Sequence, residues 1–141
     1  MKRRTNKKAF TMVELMAVLI IIGLLATLVG TQVLRKIEEA RIATTKSNLK
    51  TLHAAVIHFK MDTGRFPTEE EGLFALIEQP ADVENYAESG YLEETDVPKD
   101  GWKHEFIFEL NPESGKAFAI RSAGPDGEEY TEDDMLSTDA N

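Results

Sequence analysis

Two groups of carboxylates in this sequence could do chemistry. The first is a single residue, Glu14, standing four positions after Phe10 at the head of the run FTMVELMAVLIIIGLLATLVG. A carboxylate within an apolar segment of that kind costs roughly 2.5 to 3.5 kcal/mol on membrane-insertion scales, so it calls for a cation or a route back to the interface. No cationic side chain lies between Leu15 and Leu34. The second group is DGEEYTEDD, where six of the nine residues from Asp126 to Asp134 are acidic. Such a stretch repels itself when folded tightly. It reads either as a solvated charge cluster or as a hard-cation site, calcium taking six to eight oxygen ligands in flexible geometry. The spacing is not that of an EF-hand.

Other chemistries find little support. His53 and His58 are five residues apart, which on a helix sends them to different faces rather than to the one-turn pair of a metal helix. His104 stands alone. There is no glycine-rich phosphate loop, nucleophile elbow or zinc motif, and no cysteine. An enzyme is therefore not expected.

The elements that must carry these carboxylates follow from composition and periodicity. The chain has 141 residues and a net charge of -9. From Met1 to Ala9 there are five basic and no acidic residues, whereas from Glu78 to Asn141 there are eighteen acidic and four basic ones. An acidic head repels phosphate backbones, so no nucleic acid is expected as a partner. Counted from Phe10, the apolar run matches the roughly 20 residues of a membrane helix. A cleaved secretory signal usually has an apolar region of only about 7 to 15 residues. A buried core helix of this composition would need more protein around it than the chain supplies. The basic start holds that end in the cytoplasm and sends the acidic part across the membrane.

Helical periodicity continues beyond the apolar run. Ile42, Leu49, Leu52, Val56 and Phe59 fall on one stripe, predicting a single helix from about Phe10 to about Lys60, roughly 75 Å long. Gly23 and Gly30 are its weak points. Gly64 and Pro67 end it, and Thr68 with Glu71 forms a capping box for a short helix from Glu69 to about Ile77. Residues 79–100 read as loop. HEFIFEL and AFAIRS alternate as strands about the turn NPESGK, predicting an antiparallel hairpin. The expected fold class is α+β, with a long helix packed on a small antiparallel sheet. The expected divisions are a basic stretch at 1–9, an anchor at 10–34 and a globular head at 35–141.

The segment KKAFTMVEL resembles the processing site of the type IV pilin superfamily, in which a basic leader is removed before a phenylalanine followed four residues later by glutamate. Ala9 stands where members usually carry glycine. FPTEEEGL and SAGPDGEEYTEDDM narrow the resemblance to the major pseudopilins of type II secretion systems, over nearly the whole chain. DGWKHEF keeps Asp100 and Trp102 of a family pattern, and Tyr130 stands where glycine is common.

The resemblance implies cleavage between Ala9 and Phe10 by prepilin peptidase and methylation of the new Phe10 amine. It further implies that Glu14 of one subunit meets that amine on its neighbour, and that Asp126, Asp133 and Asp134 bind a structural calcium ion. The implied function is that of a structural subunit of the periplasmic pseudopilus that drives folded proteins across the outer membrane. The implied partners are the chain itself, minor pseudopilins, the peptidase, the inner-membrane assembly platform and the membrane. The expected location is the inner membrane, single-pass, with the C-terminal domain in the periplasm. A subunit of a surface filament for adhesion, motility or DNA uptake is the alternative.

Overall fold

Apolar residues recurring every three or four positions from Leu49 to Phe59 put one stripe of a helix out of water. In the computed structural model, which describes residues 9–112 and 114–139, that stripe belongs to α1 (Met12–Thr63). The helix runs unbroken through Gly23 and Gly30, and it ends where Gly64, at φ 81°, donates its N–H to the Lys60 carbonyl at 2.9 Å. Glycine takes this left-handed conformation without steric cost, which is why the helix stops there. The chain divides into two compact units, residues 1–38 and 39–141.

In the first unit the helix carries a stretch long and apolar enough to cross a membrane. Leu15, Leu19, Ile22 and Leu25 are among the side chains it leaves exposed. Among the described residues of this unit nothing covers them, which is the pattern of a helix whose solvent is lipid or other helices.

The second unit has a core. Leu49, Leu52, Val56 and Phe59 are fully buried against Leu73, Leu76, Val83, Phe106, Phe118 and Ile120. Each such side chain contributes about 1.5 to 3 kcal/mol on burial. Ile42, at the start of the expected stripe, is only half-buried. The sheet has order β1-β2-β3, formed by β1 (Ile107–Leu110), β2 (Phe118–Ser122) and β3 (Met135–Leu136), antiparallel throughout. β1 and β2 are the expected hairpin, in the register Phe108 opposite Ile120 and Ile107 opposite Arg121. The class is α+β, as the sequence predicts.

The expected short helix is a 3-10 helix instead, over Gly72–Leu76. Its capping box forms: the Thr68 N–H donates to Glu71 Oε2 at 2.8 Å, and the Glu71 N–H donates to Thr68 Oγ1 at 3.2 Å. Gly72 then adopts φ 55°, outside right-handed helical geometry of either kind, so the capped turn is not propagated as an α-helix, and only the short 3-10 segment follows.

Glu71 also closes a bidentate pair with Arg65. Nη1 donates to Oε2 and Nη2 to Oε1, each at 2.8 Å, while Nη2 also reaches Asp82 Oδ1 at 2.8 Å. The Arg65 hydrogen bonds are the largest influence on the Glu71 carboxyl and hold it down to about 2, against an ordinary 4.5. A carboxylate whose folded value is depressed contributes stability that is present above the unfolded value and lost as pH falls through the folded one. The expected result is therefore a loss of thermal stability as pH drops from 4.5 toward 2. In Glu71→Gln this acid-side slope flattens, with a loss on the order of 2 kcal/mol at neutral pH. Melting curves of the two proteins across that range check it; parallel slopes would refute the assignment.

Candidate functional site

At the amino end, Ala9, Phe10 and Thr11 precede the helix, and Ala9 and Phe10 are exposed. The basic residues before them lie outside the described residues. Glu14 sits in the first turn of α1, where it completes a capping box with Thr11. The Thr11 N–H donates to Glu14 Oε2 at 2.9 Å and the Thr11 hydroxyl donates to the same oxygen at 3.1 Å. In return the Glu14 N–H donates to Thr11 Oγ1 at 3.2 Å. The signal was present in the sequence as threonine followed three residues later by glutamate before an apolar run. Capping satisfies N–H groups that the first turn leaves without partners, so Glu14 has a local role whatever else it meets.

At the carboxyl end, the acidic loop is organised around β2 and β3. Asp126 and Asp133 adjoin: the Asp126 N–H lies 3.4 Å from Asp133 Oδ2. Asp133 Oδ1 accepts the Thr131 hydroxyl at 2.7 Å, which is the largest cause holding its carboxyl below the usual carboxylate range. Asp134 faces two ways, its Oδ1 lying 3.4 Å from the same Thr131 hydroxyl. Its Oδ2 accepts Arg121 Nη1 at 2.7 Å and the Tyr130 N–H at 2.8 Å. Among the described residues, no three His, Cys, Asp or Glu side chains come together as a set that could hold a metal ion. The carboxylates expected to share a calcium ion are thus not gathered around one point. As placed among the described residues, the three carboxylates do not form one ion site, and one oxygen of Asp134 is engaged by a guanidinium.

Two residues that sequence reasoning left unassigned tie this loop to the rest of the head. Asp100 is 2 % exposed. Its Oδ1 accepts the N–H groups of Trp102 at 2.9 Å and His104 at 2.8 Å, and its Oδ2 accepts the Ser122 hydroxyl at 2.7 Å. His104, expected to stand alone, places Nδ1 3.1 Å from the Gly124 carbonyl and 3.6 Å from Asp100 Oδ2. Beside them Gly101 donates its N–H to Thr45 Oγ1 at 2.8 Å, and a Cβ at that glycine would collide with the Arg41 backbone. His53 and His58 behave as their spacing implies. His53 is half-buried, stacked on Phe118 at 4.6 Å between ring centroids, and burial lowers its pKa. His58 is exposed.

An apolar amino-terminal helix opened by a threonine-glutamate cap, followed by a small antiparallel head, defines the pilin-like class of fold. Residues 4–30 match the prokaryotic N-terminal methylation motif. Residues 32–138 match the family Type II secretion system (T2SS), protein G, and the chain belongs to that family. It is 35% identical over 140 residues to the type II secretion system core protein G of Escherichia coli K12, covering 97% of this chain and 94% of that protein. The Pseudomonas aeruginosa protein of the same name is 32% identical over 130 residues, covering 90% of this chain and 89% of that protein. Among solved structures, the major pseudopilin of the type 2 secretion system of enterohaemorrhagic Escherichia coli superposes with a TM-score of 0.63 at 29% identity, over 73% of this chain and 90% of that one.

Proposed function

We propose that this chain is the structural subunit of a type II secretion pseudopilus, anchored in the inner membrane by residues 10–34 and presenting its acidic head to the periplasm. The observation that carries the reading is the family match over residues 32–138, joined to the exposed apolar stretch of α1 that begins beside Glu14. In this reading prepilin peptidase removes the leader between Ala9 and Phe10, both of which are accessible and non-helical. The released Phe10 amine, as an α-amino group, is largely protonated at neutral pH and keeps its charge through mono-methylation. Glu14 of the neighbouring subunit then supplies the counter-charge as the two helices leave lipid for the filament core. The chain polymerises with itself, and minor pseudopilins and the assembly platform complete the machine. Its role is structural rather than catalytic.

The test is the intact mass and amino-terminal sequence of the chain recovered from membranes. A methylated Phe10 terminus is expected. A chain that retains Met1, or one that starts beyond Val29, would remove the filament reading.

A further inference from the structure

The acidic loop needs a counter-charge, and one is already bonded to it covalently. Arg121 sits in the central strand β2, with its side chain 13 % exposed. Its guanidinium donates Nε to Glu109 Oε1 at 3.0 Å, Nη2 to Glu109 Oε2 at 3.3 Å and Nη1 to Asp134 Oδ2 at 2.7 Å. The Asp134 side chain is 5 % exposed. Tyr130 covers the assembly: its ring centroid lies 4.5 Å from Arg121 Cζ, its hydroxyl donates to Glu109 Oε1 at 3.2 Å, and its N–H donates to Asp134 Oδ2. Tyr130 holds φ 66°, a left-handed conformation that side chains other than glycine and asparagine rarely adopt. The stacked guanidinium and the two hydrogen bonds offset that strain.

The chemistry explains why a guanidinium suits this place. It is planar and permanently charged, and its fork of donors matches two carboxylates at once. Tethered to the strand, it needs no free ligand and loses no translational freedom on closing the loop. A divalent ion at Asp134 would have only Oδ1 open to it, since Oδ2 is held by Arg121 at 2.7 Å, and it would sit beside the positive charge of the guanidinium.

We propose that Arg121 takes the place of a bound metal: the C-terminal loop is fastened to the sheet by this guanidinium, with Glu109, Tyr130 and Asp134 as its seat, and the fold of the head does not depend on calcium. The inference concerns the head alone and stands apart from processing and filament assembly.

The test uses the full-length chain in detergent micelles. Melting curves recorded in excess chelator and in millimolar calcium are expected to coincide, and calorimetric titration with calcium is expected to give no binding heat. Arg121→Gln is expected to lower the Tm by about 5 to 15 °C in chelator, with Arg121→Lys in between, because lysine keeps the charge and loses the fork. A wild-type Tm that falls on chelation, measurable calcium binding, or an Arg121→Gln protein as stable as wild type would each overturn the proposal. The wild-type comparisons decide it even where the variant does not fold.

Discussion

Glu14→Ala is expected to leave the chain in the membrane and to abolish its assembly into filaments. Removing the carboxylate takes away a cost of insertion, so anchoring does not suffer. Assembly suffers because the Phe10 ammonium of the adjoining subunit would then be buried with no opposite charge. Breaking one side of a buried ion pair costs about 3 to 5 kcal/mol, which raises the concentration needed for polymerisation roughly a hundredfold or more. The capping box gives this prediction its control. Glutamine serves at the third helical position of a capping box as glutamate does, so Glu14→Gln keeps the bonds to Thr11 and loses only the charge. Cross-linking of membranes, followed by a count of oligomers, distinguishes the roles. Charge pairing requires both variants to fail, whereas normal filaments from Glu14→Gln would reduce Glu14 to a helix cap.

Asp100→Ala carries the largest expected effect on the head. The side chain is buried and accepts three hydrogen bonds, from the Trp102 and His104 amides and from the fully buried Ser122 hydroxyl. Truncation leaves all three donors without their acceptor at once, the Ser122 hydroxyl fully out of water. The expected loss is about 3 to 5 kcal/mol, equivalent to a fall in Tm of roughly 12 to 40 °C for a domain of this size. Asp100→Asn should cost less, since one oxygen still accepts the two amides and the new amide can donate to Ser122. Denaturant unfolding followed by circular dichroism orders the three proteins. Equal stability of the alanine variant and the wild type would show that the turn from Asp100 to His104 does not hold β2.

The Asp100 prediction reflects a wider feature of the head, that its loops are held by side chains and not by strand pairing. β3 has two residues, and Ser137 beyond it donates its N–H to the Ile120 carbonyl while its hydroxyl accepts the Ile120 N–H. Gly124, at φ 63°, lies so close to Asp133 that a Cβ there would approach the Asp133 carbonyl oxygen to 2.6 Å. The acidic stretch is thereby pressed against β2 with little backbone ladder to keep it there. Ion pairs and buried hydrogen bonds carry the load that a longer sheet would carry elsewhere.

Local pattern settled a good deal of this. The apolar run, the stripe from Leu49 to Phe59, the box at Thr68 and Glu71, and the hairpin about Asn111 each depend on residues within a few positions of one another, and the letters record such relations directly. Periodicity of 3.6 or 2 is a consequence of backbone geometry, so it survives without knowledge of the fold. The threonine-glutamate start of α1 was equally legible, although a search for charge partners looks past it.

Tertiary structure alone decided which carboxylate meets which cation. Nothing adjacent in the chain tells Asp134 to take Arg121 rather than join Asp126 and Asp133, for the outcome depends on β2 passing between β1 and β3. Likewise Asp100 finds Ser122 across twenty-two positions, and His53 finds Ser137 across eighty-four. The positive φ of Gly72 interrupts the turn that the capping box starts, and a short 3-10 helix stands where an α-helix was expected. Sequence fixes what each segment can form on its own because those interactions are short in the chain. Pairings of charge are set by where folding brings distant segments, since Coulomb energy depends on distance in space and not along the backbone.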